Sequence, residues 1–176
     1  MKRDIPKPFL RALPLPRKYL KPGVLTLEVT EYSLRSRHMP NGYWVTLAAI
    51  VVPSVDRTIL GASACSPDDE HLFDRADAAH RALGRARQVA FRVWSGAVKA
   101  SPDIAPESLH VTLFGRELDA VFMTPVEHTL AKIQELAEPL FEKVAHHAAL
   151  IAAVHLQKLR NQMDNRFEWS FVERKK

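Results

Sequence analysis

At 176 residues and 47% hydrophobic, the chain holds enough apolar material for one substantial core and too little length for two ordinary domains. Its single cysteine, Cys65, excludes an internal disulfide and a multi-cysteine metal site, and the apolar runs at 45–52 and 144–154 are too short to span a bilayer. The net charge is +5, yet residues 1–23 carry Lys2, Arg3, Lys7, Arg11, Arg17, Lys18 and Lys21 against Asp4, net +6, leaving −1 for the remainder. The basic excess therefore belongs to the N-terminal segment and not to the domain behind it.

Pro6, Pro8, Pro14 and Pro16 interrupt the place where the apolar region of a secretory signal would sit. A cytoplasmic protein without a membrane span is expected. These prolines and Pro22 favour an extended arm over residues 1–23, with Gly23 as its boundary and a single α+β domain over 24–176.

Leu25, Leu27 and Val29 alternate with Thr26, Glu28 and Thr30, which predicts a half-buried strand over 24–32. Strands over 43–52 and 58–65 follow, separated by turn residues at Pro40-Asn41-Gly42 and at 53–56. Ser66-Pro67-Asp68-Asp69 then reads as a helix start, with a hydroxyl cap, a first-turn proline and acids at the positive end of the dipole. The helix runs to 96–102, with Leu72, Ala76, Ala79, Leu83, Ala86, Ala90, Val93 and Ala97 as its packing face.

Leu109, Val111 and Leu113 alternate in a fourth strand, and 117–123 is its expected hairpin partner. Thr124-Pro125-Val126-Glu127 supplies a capping box for a second long helix that Pro139 should kink. Phe167, Trp169 and Phe171 alternate with polar residues and predict a closing strand. The expected fold class is α+β: an antiparallel β-meander, a long helix, a further strand or hairpin, a second long kinked helix and a C-terminal strand.

Two basic features are candidates for phosphate contact. Arg81, Arg85, Gln88 and Arg92 follow at spacings of four, three and four along the first helix, a linear stripe able to meet successive phosphates. Bases late in a helix also suit its dipole, so the stripe has an ordinary structural explanation as well. The arm, with Lys2, Arg3, Lys7, Arg11, Arg17, Lys18 and Lys21, can track a backbone, while its prolines, Phe9, Leu10, Leu13 and Leu15 equally suit an apolar groove on a protein.

Catalytic chemistry finds less support. His110-Val111-Thr112-Leu113 resembles the His-x-Thr element of the two-histidine phosphoesterases, which implies acid–base work on a phosphodiester. That chemistry needs a second such element within reach, and His38 and His128 lack the spacing, so an ordinary strand is the expectation. Glu138, Glu142 and His146 stand at spacings of four, but no matching set on the first helix completes a metal site. Acids beside Cys65 favour the neutral thiol, and no glycine-rich phosphate loop is present.

The β-β-β-α order, with Ala79-His80-Arg81-Ala82-Leu83-Gly84-Arg85-Ala86-Arg87 in its helix, resembles the core of single-strand-annealing proteins and the last elements of a double-stranded-RNA-binding domain. The latter carries lysines where this chain has Ser66-Pro67-Asp68-Asp69-Glu70. The expectation is a non-enzymatic nucleic-acid-binding accessory protein without cofactor or metal, its partner DNA, RNA or a nucleoprotein complex. The alternative is an inhibitor or adaptor that docks on a larger protein.

Overall fold

The computed structural model of the protein describes residues 9–55, 57–96, 110–113, 116–118 and 130–173. A mixed α+β architecture is built from β1 (Phe9–Pro14), β2 (Thr26–His38), β3 (Trp44–Val52), β4 (Arg57–Cys65), α1 (Arg75–Trp94), β5 (His110–Leu113), β6 (Arg116–Leu118), α2 (Leu130–Ala137) and α3 (Leu140–Glu173). The sheet order follows the chain from β1 to β6. Neighbouring pairs are antiparallel except β4 and β5, which α1 and the chain after it connect in parallel. Among the described residues no helix is long and apolar enough to cross a membrane.

The β2–β3 turn uses the expected residues. Gly42 has a φ of +83°, where a side chain would be strained, and the Met39 and Tyr43 backbones close the turn at 2.8 Å. Both faces of the sheet are covered, which is why β3 reads as a nearly unbroken apolar run instead of an alternating one. On one face Val45, Leu47, Ala49, Leu60 and Ala62 pack against Ile133, Leu140, Phe141, Val144 and Ala148. On the other, Leu27, Val29, Ile50, Val52 and Ile59 lie with Ala86, Val89 and Ala90 of α1.

Three expectations are corrected. The helix start at Ser66-Pro67 is a short 3-10 turn, Pro67–Leu72, and α1 begins at Arg75, capped by Asp74, whose carboxylate accepts the Asp77 N–H at 2.7 Å. The buried face is Ala78, Ala82, Ala86, Val89 and Ala90, whereas Leu72 and Ala76 are exposed. Gly61 on β4 accounts for the rotation, because its missing side chain leaves room for the Ala82 carbonyl to approach the sheet.

The expected closing strand is instead the last part of α3, which runs unbroken to Glu173. Neither glycine nor proline occurs between Leu140 and Glu173, so extending an established helix costs less than starting a new element. The expected kink at Pro139 falls in the gap between α2 and α3. The capping box at 124–127 and most of the hairpin partner at 117–123 lie outside the described residues.

The segment expected as an arm joins the sheet from Phe9 onward. β1 pairs with β2 from Phe9 opposite Glu31 to Pro14 opposite Thr26, and Leu13 and Leu15 enter the core beneath α1. Pro14 is tolerated because β1 is an edge strand.

Candidate nucleic-acid interface

Lys2, Arg3 and Lys7 lie outside the described residues. The other seven basic residues singled out from sequence separate into two groups, one engaged within the fold and one gathered at an end of the molecule.

Arg11, Arg81 and Arg85 form the engaged group. Arg11 on β1 reaches Glu31 at 3.2 Å and also lies over the Phe9 ring. Arg81 pairs with Asp77 one turn earlier on α1 at 2.7 Å. Arg85 turns toward the sheet and donates to the Ala62 carbonyl, and burial pushes its guanidinium below its ordinary value, with Arg81 adding to the effect. The straight stripe drawn along α1 therefore does not present equivalent charges to solvent. Rotation of the packing face by Gly61 brings Arg85 to the flank of the helix–sheet contact.

Arg87, not singled out from sequence, makes a two-pronged contact from α1 to the sheet. Its guanidinium donates to both oxygens of Glu31 at 2.6 and 2.8 Å, and Glu31 is only 4% exposed. The hydrogen bonding to Glu31 holds Arg87 above its ordinary value against the opposing effect of burial. A buried carboxylate thus ties β1, β2 and α1 together.

Arg17, Lys18, Lys21 and Arg92 form the second group. After β1 the chain makes a short 3-10 turn, Arg17–Tyr19, which docks on the C-terminal end of α1. Tyr19 stacks on Phe91 with ring centres 6.2 Å apart, and the Lys21 ammonium sits 4.3 Å over the Trp94 ring. Lys18 lies over Tyr19. Arg92 stands in the same final turn of α1. Cations interleaved with aromatic faces are the elements of a sequence-tolerant nucleic-acid surface.

The opposite end of α1 carries the reverse charge. Asp68, Asp69, Glu70, Asp74 and Asp77 cluster there, separated from the basic end by the 20-residue length of α1, about 30 Å at 1.5 Å per residue. Trp44 anchors this acidic turn by stacking on Phe73 at 4.5 Å and donating its indole N–H to Glu70 at 3.2 Å. A cleft of about 540 Å³ adjoins it, between the turn, the start of α1 and residues 148–155 of α3. Cys65 lines the cleft, but burial and then the Asp69 charge push its thiol up, and its Sγ donates to the Asp69 carbonyl at 3.3 Å.

His110 begins β5 opposite Ile59. Glu138 pairs with Arg37, and among the described residues no group of three or more metal-ligating side chains assembles. No protein-family model, curated protein or solved structure matches the chain.

Proposed function

We propose that the chain is a non-enzymatic accessory protein that holds a nucleic-acid backbone against its basic end, with little sequence selectivity. The carrying observation is the docking of the Arg17–Tyr19 turn on the C-terminal end of α1, with Tyr19 stacked on Phe91 and Lys21 over Trp94, at the end whose last turn also carries Arg92. Lys2, Arg3 and Lys7 precede this turn in the sequence. Arg81 and Arg85 are assigned structural roles, because their charges are used by Asp77 and by the sheet. The acidic end repels phosphate and so orients the molecule on a polyanion.

Salt titration of fluorescent single- and double-stranded DNA and RNA tests this reading. With about four phosphates neutralised, affinity should fall about a hundredfold for a fourfold rise in salt. Arg17→Gln with Lys18→Gln and Lys21→Gln should flatten the slope by about two to three units, while Arg81→Gln leaves it unchanged. Binding that is weak on all probes, or insensitive to the triple change, would remove the proposal.

The outer edge of β1 favours a second reading as an adaptor or inhibitor. Phe9 and Leu10 are exposed there, and among the described residues no strand pairs with that edge, which suits strand addition to a protein partner. Leu13 and Leu15 are excluded from such docking because they are already in the core. Loss of a pulled-down partner on Phe9→Ala with Leu10→Ser, but not on the triple charge change, would support this reading over the first.

A further inference from the structure

Phe141, Ala145, Ala148, Ala152, Leu156, Leu159 and Met163 follow along α3 at spacings of 4, 3, 4, 4, 3 and 4, so they share one face of the helix. The first three are buried against the sheet. Ala152 is half-buried at the rim of the cleft, and the next three are 65%, 42% and 69% exposed. A single apolar seam thus continues past the end of the surface it packs on. A seam of this kind requires a second apolar surface to bury it.

From this geometry we infer that the occupant is a second copy of this chain, with the two α3 helices running antiparallel about a two-fold axis near Leu156. Each overhang enters the other copy's cleft, placing Leu159 and Met163 beside Leu72, Ile151 and Ala152. The cleft is lined on its α3 side by Ala148, Ile151, Ala152 and His155, and on its other side by Asp69, Asp74 and Asp77, of which Asp77 is paired with Arg81. The proximal part of the overhang brings opposite charge: residues 143–163 contain no acid, and Lys158 and Arg160 flank the seam on either side. Leu72, itself 69% exposed at the cleft edge, gains a partner in the same step.

The two-fold operation pairs each copy's overhang with the other copy's cleft, so the contact closes on itself and stops at two copies. Charge complementarity selects the antiparallel arrangement, because a parallel pair would leave the cleft acids without cations and set Lys158 and Arg160 against their own copies.

Sedimentation velocity of the full chain over a concentration series tests the inference. Wild-type protein should sediment as a dimer at about micromolar concentration. Leu156→Asp with Leu159→Asp, at exposed positions that leave the circular dichroism spectrum unchanged, should give a monomer. Asp69→Lys with Asp77→Lys should weaken dimerisation at least about tenfold, as should Lys158→Glu with Arg160→Glu, and combining the four changes should recover most of the loss. A wild-type monomer at about 100 micromolar, a dimer indifferent to the leucine changes, or four charge changes that merely add would each overturn the inference.

Discussion

Gly61 of β4 and Ala82 of α1 touch backbone to backbone: a Cβ built on Gly61 would lie 1.8 Å from the Ala82 carbonyl oxygen and 2.9 Å from the Ala86 nitrogen. No side-chain rotation relieves such a clash, so Gly61→Ala has to lift α1 off the sheet. It should cost about 3 kcal/mol or more in denaturant unfolding, at the upper end of overpacking effects. Gly84, on the same helix, meets nothing within 4 Å. Gly84→Ala should therefore stabilise by about 0.5–1 kcal/mol through helix propensity alone, and the opposite signs of the two substitutions make the comparison decisive.

Removing Arg87 leaves the Glu31 carboxylate buried with only the half-exposed Arg11 as partner. Arg87→Ala should cost about 3–5 kcal/mol, whereas Arg11→Ala should cost about 1 kcal/mol or less. Arg87→Met combined with Glu31→Gln should be less harmful than the two single changes added together, a coupling that a double-mutant cycle in urea reads directly.

Cys65 should alkylate slowly at neutral pH, because a raised thiol value means a smaller thiolate fraction there. Its rate should go on rising with pH after that of an ordinary thiol has levelled off. Asp69→Asn removes the second-largest cause and should accelerate the reaction at pH 8. The linkage has the matching sign. Above its ordinary value the thiol ionises in the unfolded chain before it does in the folded one, so this group lowers stability as pH rises through that window.

Trp94→Ala withdraws the ring beneath Lys21, and Phe91→Ala removes the stacking partner of Tyr19. Together they should release the Arg17–Tyr19 turn and weaken binding to single-stranded DNA about tenfold without changing any charge. The measurement is fluorescence anisotropy at low salt, where loss of aromatic stacking of about 1 kcal/mol or more per ring is resolved.

The meander of β2, β3 and β4 was legible because alternation, β-branched runs and the Pro40-Asn41-Gly42 turn all point to the same register. β1 was hidden by its prolines, which signal an open arm locally but are compatible with an edge strand once β2 is beside it. The packing face of α1 was displaced because periodicity locates a stripe only to within a residue or so, and the deciding contact belongs to Gly61 on another strand. For the same reason sequence reading grouped Arg81, Arg85 and Arg92 as equivalent, although Asp77, Ala62 and the helix end give them different surroundings. Aromatic alternation at Phe167, Trp169 and Phe171 misled about the C-terminus, since a continuous helix without breakers was already in place.

The short pairing of β5 has a consequence for how this protein meets other chains in a crowded solution. β5 accompanies β4 only from Ile59 to Gly61, and among the described residues no strand continues the ladder alongside Ala62 to Cys65. Unpaired strand backbone is in general a template on which a foreign strand can nucleate an aggregate. At Ala62, the first residue past this pairing, Arg85 donates a hydrogen bond to the carbonyl. It occupies that position with a charged, non-propagating group, so that Arg85→Ala should appear first as turbidity on mild heating and only second as lost stability.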